Sequence, residues 1–234
     1  MSDKQSEVEG FYDEFVTHQK HRGINLRHRE ILSRCIAAGL TKSSKVLEVG
    51  CGIGTVSRLL AQRVSKGSLL GVDISPKSIA EAQQFNKDLK QAKFMVSDMS
   101  DFQYDQVFDV VVFPDVLEHI PVADHAALFA KIKAHTHENS VVCINIPAPR
   151  FLEWMIANEP EKLQIIDQPL DTARLVGDWQ ASGFYLDKME TYPIFYQEGD
   201  YQFFIFRPNK KLSKTTHRPK IDVFLDIQKR KFFK

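Results

Sequence analysis

The sequence predicts an α/β protein built on a doubly wound sheet of parallel strands joined by right-handed crossovers. Three observations carry this. From about residue 44 to 147, short apolar runs alternate with runs of helical period. The first apolar run empties into three glycines, VLEVGCGIGTVS, and the second ends on an acid, GVD. Strands that alternate with helices in this way pair in parallel.

The elements follow in order. Lys45-Val46-Leu47-Glu48-Val49 reads as the first strand, and Thr55 to Val64 as a helix with Val56, Leu59, Leu60 and Val64 on one face. Ser68 to Asp73 is a second strand; Pro76 suits the first turn of a helix running to about Leu89. Lys93 to Val96 is a third strand. Phe108 to Phe113 is a fourth, mostly apolar as a strand covered on both faces should be. A helix from about Val122 to His135 leads to a fifth strand, Ser140 to Ile146. Outside the alternation, residues 7–40 read as two helices joined near Gly23, and 149–182 as an insertion with helical pattern. The aromatic run Tyr201 to Phe206 reads as a late strand pairing near Phe184 to Tyr192. The implied organisation is an N-terminal helical segment (1–40), a main domain (41–208) and a basic tail with a short helix (209–234).

At 234 residues, 43% hydrophobic and 26% charged, the chain has the composition of one ordinary globular domain with appendages. A net charge of +1 predicts no polyanionic partner. The polar start MSDKQSEVEG lacks the apolar core of a signal peptide, and no run of about eighteen apolar residues predicts a membrane span. Cys35, Cys51 and Cys143 are odd in number and widely spaced, which argues against a disulfide framework and a zinc site. A cytoplasmic protein is the expectation.

In open α/β sheets, ligands bind at the carboxyl ends of the strands. Gly50, Gly52 and Gly54 therefore mark the expected cradle, where the backbone turns sharply and approaches a ligand. A dinucleotide would call for GxGxxG, but the spacing is GxGxG followed by Thr55. Glu48 is a poor neighbour for a pyrophosphate and suits a ligand carrying an ammonium group. Asp73, at the second strand tip, suits the two hydroxyls of a ribose, which a nicotinamide dinucleotide and S-adenosylmethionine share. Asp98 suits the exocyclic amine of adenine, with Ile74 and Met99 sandwiching the ring; alternatively, Asp98 opens a turn in the string SDMSD.

Taken together, Glu48-x-Gly50-x-Gly52-x-Gly54, Gly71-x-Asp73, Ser97-Asp98-Met99 and FDVVVFPDVLEHI (residues 108–120) resemble the class I S-adenosylmethionine-dependent methyltransferases over roughly residues 44–147. The resemblance implies a seven-stranded Rossmann-like sheet, mostly parallel, with its last hairpin antiparallel. It implies S-adenosylmethionine as cofactor, with the glycine turn and Pro114 beside its methionine part and Glu48 toward its ammonium. It also implies that the N-terminal helices form a lid, from which Tyr12 and Arg27 close over the amino acid end of the cofactor.

For a hydroxyl acceptor, a base must take the proton, and His119, just after the fourth strand, is the first candidate. The other reading is that it only orients the loop. Asp115 in the same turn is the second candidate, as base or as orienter of the acceptor. The insertion is expected to wall the acceptor site, with Arg150, Trp154, Asp167 and Gln168 as lining groups, although a tryptophan at helical spacing from Phe151 also suits packing. The acceptor expected is a small polar molecule, such as a sugar or biosynthetic intermediate, methylated on oxygen or nitrogen. The alternative is a methyltransferase-like binding module without chemistry. The basic tail suits a solvated linker and a helix docked on its own domain or a second subunit, with membrane contact a lesser reading. No nucleic-acid partner is expected, and the chain is expected to be a monomer or homodimer.

Overall fold

Consecutive side chains leave the central strands on opposite sides. Both sides are core in the structure, a computed structural model that describes residues 23–164 and 166–231. The strands are β1 (Lys45–Val49), β2 (Ser68–Asp73), β3 (Ala92–Val96), β4 (Phe108–Pro114), β5 (Thr136–Pro147), β6 (Phe184–Tyr192) and β7 (Tyr201–Pro208). They form one seven-stranded sheet in the order β3-β2-β1-β4-β5-β7-β6. β1 to β5 pair in parallel, and β7 runs antiparallel to both β5 and β6. The doubly wound class, the antiparallel hairpin and the pairing of the late aromatic strand are as expected from the sequence.

The helices are α1 (Leu26–Ala38), α2 (Thr55–Arg63), α3 (Pro76–Phe85), α4 (His125–Ala134), α5 (Pro149–Asn158), α6 (Thr172–Ala181) and α7 (Lys220–Lys231). Val46, Val110, Val112 and Cys143 meet Ile31 and Cys35 of α1 and Leu60 of α2 on one face. Their strand neighbours Leu47, Val111, Phe113 and Ile144 meet Phe129 of α4 and Trp179 of α6 on the other. Trp179 is fully buried and stacks on Phe129 with ring centroids 4.0 Å apart, with Phe184 and Phe206 at 5.0 and 5.3 Å. Emptying that position would cost about 3–5 kcal/mol.

Several boundaries differ from the sequence expectation. α3 stops at Phe85 rather than near Leu89, because Asn86 turns its side chain back to donate to the carbonyls of Ala82 (2.9 Å) and Gly54 (3.2 Å). The helix expected from Val122 opens as a 3-10 turn over Val122–Asp124 and becomes α-helical at His125. β5 starts at Thr136, earlier than Ser140, across a register shift opposite Phe108. The insertion holds two helices, α5 with Pro149 in its first turn and α6 capped by Asp171, whose carboxylate accepts from the Arg174 N–H at 2.7 Å. Of the two N-terminal helices expected over 7–40, α1 is described; the first of them, with Tyr12, lies outside the described residues.

Among the described residues, no helix is long and apolar enough to cross a membrane, and no group of three or more His, Cys, Asp or Glu side chains is placed to hold a metal ion.

Candidate active site

A cavity of about 860 Å³ lies at the carboxyl ends of β1 to β4, where a doubly wound sheet presents its loops. Arg27, Glu48, Gly50, Gly52, Asp73, Ile74, Asp98, Met99, Pro114, Asp115 and His119 all line it. Gly54 does not. It caps α2 at φ +81°, and a Cβ there would lie 2.5 Å from the Asn86 amide nitrogen, so its task is close packing of α2 against α3.

The glycine turn is held from β2. The N–H groups of Gly50 and Cys51 both donate to the Val72 carbonyl (2.8 and 2.9 Å), and Gly52 N–H donates to Asp73 Oδ2 at 2.8 Å. Asp73 Oδ1 accepts from Ser75 N–H at 3.0 Å. The acid expected to read a ribose thus also fixes the shape of the cradle. Gly50, at φ +74°, lets the turn approach the loop after β4; a Cβ would fall 2.4 Å from a Val116 methyl.

Glu48 is fully buried beneath this turn. Its Oε2 accepts from the Ser57 hydroxyl at 2.6 Å, while Oε1 has no hydrogen-bond partner. Burial pushes the carboxyl up to about 8, against the Ser57 hydrogen bond and with the nearby Asp73 charge adding to it. A buried, half-satisfied carboxyl beside a cavity is poised for a cationic or donor group. Asp98 lines the cavity, and its Oδ1 accepts from the N–H (2.9 Å) and hydroxyl (2.7 Å) of Ser100 in a tight turn.

Arg27 is delivered by the first turn of α1. Asn25 and His28 cap that helix reciprocally, Asn25 Oδ1 accepting from His28 N–H and His28 Nδ1 from Asn25 N–H. The Arg27 guanidinium sits 3.0 Å from Asp115 Oδ2 and donates to the Tyr201 hydroxyl at 3.1 Å. Asp115 itself has a left-handed backbone (φ +57°), and its Oδ1 accepts from the Asn145 amide at 2.7 Å. Burial pushes its carboxyl above the usual range, opposed by Arg27 and Asn145. The neighbouring Glu118 is buried and pushed well up, by burial first and by Asp115 next.

His119 is gripped by the insertion. Its Nδ1 lies 2.5 Å from the Ile166 carbonyl and 3.3 Å from Asp167 Oδ1; its Nε2 lies 3.1 Å from the Gln164 side-chain nitrogen. Gln168 braces the same contact through hydrogen bonds to the carbonyls of Glu118 and Ile120. Of the insertion residues expected to wall the site, Asp167 and Gln168 therefore support His119 rather than line the cavity, and Gln164 and Ile166 do line it. Arg150 and Trp154 do not. Trp154 is 45% exposed on the outer side of α5, packed with Phe151 and Tyr196.

Sequence reading missed Asn145, Tyr201, Ser57 and Gln164. Asn145 left a signal, a lone amide closing the apolar run VVCINI, where a strand end meets the ligand side of the sheet. Gln164 left none, since a polar residue in a polar insertion carries no pattern.

Residues 46–139 match the family model of a methyltransferase domain. Over that stretch the chain is similar to methyltransferase domains. It is similar to trans-aconitate 2-methyltransferases: 28% identical over 121 residues to that of Escherichia coli O7:K1, covering 52% of this chain and 46% of the relative. To that of Variovorax paradoxus it is 30% identical over 123 residues, covering 52% and 44%. The match thus spans less than half the length of these relatives. The methyltransferase fold extends further than the sequence match. The magnesium protoporphyrin IX methyltransferase of Synechocystis PCC 6803, solved with bound S-adenosylmethionine, superposes with a TM-score of 0.66 at 19% identity, covering 89% of this chain and 99% of that one. A putative methyltransferase of Haloferax volcanii, solved in complex with the Trm112 methyltransferase activator, gives 0.69 at 16% identity, covering 90% and 100%.

Proposed function

We propose that this protein transfers a methyl group from S-adenosylmethionine to a small polar acceptor, a sugar or another biosynthetic intermediate. The observation that carries the cofactor assignment is the unpartnered Glu48 Oε1, buried below a glycine turn and beside a cavity that also holds Asp73 and Asp98 at the next two strand ends. An ammonium group satisfies the first, a ribose the second and an adenine amine the third. Gly50 and Gly52 give the backbone room to lie against the methionine part; Ile74 and Met99 supply apolar faces for the ring. Arg27 lies at the α1 side of the cavity, suited to the cofactor's carboxylate, and Tyr12 is assigned to the same lid.

S-adenosylmethionine supplies an electrophilic methyl carbon. The chain's part is to align an acceptor atom behind it and exclude water; such alignment supplies several kcal/mol, about 7–11 at best. His119 is assigned the acceptor's proton and Asp115 the orientation of the loop. Similarity to enzymes named for trans-aconitate supports a small molecule as acceptor. So does the size of the cavity, which suits a cofactor together with a compact partner.

The test is calorimetry with S-adenosylmethionine, followed by incubation with methyl-labelled cofactor and cell extract separated into polar metabolites, glycans, lipids, proteins and nucleic acids. Saturable binding and label in the polar metabolites are expected. Absence of binding would refute the cofactor assignment; label confined to proteins or nucleic acids would refute the acceptor class.

A further inference from the structure

We infer that Gln164 and His119 form the acceptor subsite, and that this subsite admits an alcohol or an amine at the reacting position and rejects a carboxylate. The inference rests on the methyl-transfer reading above and adds the chemical class of the acceptor. It begins at a backbone carbonyl. Ile166 O lies 2.5 Å from His119 Nδ1, and a carbonyl only accepts, so Nδ1 carries the hydrogen. In the neutral ring, Nε2 then presents a lone pair. The group facing Nε2 at 3.1 Å is therefore the NH2 end of the Gln164 amide, donating. Its other end, Oε1, is buried without a hydrogen-bond partner.

The polarity of the subsite is thus set by how Gln164 and Ile166 are held against His119. The 164–168 stretch is braced at three further points: Gln164 N–H donates to Asp167 Oδ2 (2.6 Å), Gln168 N–H to Glu118 O (3.0 Å), and the Gln168 amide to Ile120 O (3.0 Å). Gln164 and His119 both line the cavity, so an acceptor reaches Nε2 by displacing the amide from it. Only a hydrogen-bond donor can replace an N–H at a lone pair. A hydroxyl or an amine fits; an ionised carboxylate brings two more lone pairs and is repelled.

For a hydroxyl, the step balances within the site. The acceptor oxygen uses one of its electron pairs to form the new O–CH3 bond as the S–CH3 bond breaks and its electron pair stays on sulfur. The hydroxyl proton passes to His119 Nε2. The ring then has N–H at both nitrogens, and the displaced amide can turn Oε1 toward Nε2 and accept. Gln164 donates before transfer and accepts after it, which gives its orphan oxygen a partner at the moment charge appears on the ring.

Two measurements decide it. In the protein without acceptor, long-range proton–nitrogen correlation on 15N-histidine-labelled chain should show His119 in the Nδ1–H form, and Gln164→Leu should shift the Nε2 resonance without changing the tautomer. An Nε2–H form would overturn the inference whatever the activity. In the transfer assay on polar metabolites, the labelled product should survive mild alkali, as ethers and methylamines do. Release of labelled methanol from a methyl ester, or transfer to trans-aconitate, whose polar groups are all carboxylates, would overturn it. With the identified acceptor, Gln164→Leu is expected to raise KM about tenfold and Gln164→Asn to recover part of that loss; a fall in kcat alone would refute an acceptor-binding role. Failure of S-adenosylmethionine to bind refutes the underlying function and leaves the tautomer result to stand or fall separately.

Discussion

Arg27, one residue into α1, lies 3.0 Å from Asp115, one residue beyond β4. The pair ties the N-terminal helix to the loop that carries His119. Arg27 is 30% exposed and Asp115 11%, so the two charges are not equivalent. Arg27→Met strands a largely buried carboxyl that burial already pushes up, and should cost about 1–3 kcal/mol. Asp115→Asn leaves an arginine that can reach water and keep Tyr201, in a left-handed position that asparagine tolerates, and should cost less. Thermal melts of the two variants check the order; a larger loss for Asp115→Asn would mean that strain, not charge, governs the loop.

Glu48 gives the fold a pH dependence of definite sign. Burial pushes its carboxyl up to about 8, against the ordinary 4.5 of an exposed glutamate in the unfolded chain. Between those values the native chain keeps a proton that the unfolded chain has released, so stability falls as pH rises, by at most about 1.4 kcal/mol per pH unit. Above about 8 the effect is complete, and below about 4.5 it vanishes. Glu48→Gln should flatten the melting profile between pH 5 and 8. An ammonium drawn to Oε1 favours the ionised form, so binding at pH 7 should release protons, seen as a buffer-dependent heat in calorimetry. The same variant should bind weakly with no such dependence, and an equal dependence in the variant would place the proton elsewhere.

The glycines divide by what their missing Cβ would strike. At Gly50 it strikes Val116, in the loop of Asp115 and His119; at Gly54 it strikes Asn86, behind α2. Both have left-handed backbones, so alanine at either costs about 1–3 kcal/mol. Gly50→Ala should also weaken S-adenosylmethionine binding, by displacing a cavity wall. Gly54→Ala should lower the melting temperature while the affinity at low temperature stays near that of the unsubstituted chain. Calorimetry alongside thermal melts separates the two.

What was legible in the sequence follows from where the information lies. Val110 and Val112 on one face, and Val111 and Phe113 on the other, write a two-sided strand in four consecutive letters. Glu48 one residue before the end of β1, Asp73 at the end of β2 and Asp98 two residues past β3 lie at the same edge of three neighbouring parallel strands, so topology brings them to one cavity. Gln164 reaches His119 across 45 positions through an irregular stretch held by its own side chains, and no local period encodes that. Trp154 carried two readings, cavity wall and packing partner of Phe151, and the structure shows the second. Its aromatic neighbours Phe151 and Tyr196 make a surface cluster, and a tryptophan near a ligand edge looks the same in sequence whether it faces in or out. Trp154→Ala should accordingly leave S-adenosylmethionine affinity unchanged.

Asp73 is the hardest residue to test, because it holds the cradle as well as lining the cavity. Asp73→Asn replaces one accepting oxygen by a donor, and either Gly52 N–H or Ser75 N–H then loses its partner. Affinity should fall about 10- to 100-fold from that alone, the equivalent of roughly 1–3 kcal/mol. A drop in affinity therefore says nothing about ribose. The interaction becomes visible when S-adenosylhomocysteine is compared with an analogue lacking the ribose hydroxyls, in both the unsubstituted chain and the variant. If Asp73 reads the hydroxyls, removing them weakens binding to the unsubstituted chain and has little further effect on the variant, because the two changes delete the same contact. If the two losses simply add, Asp73 shapes the turn, and another group recognises the sugar.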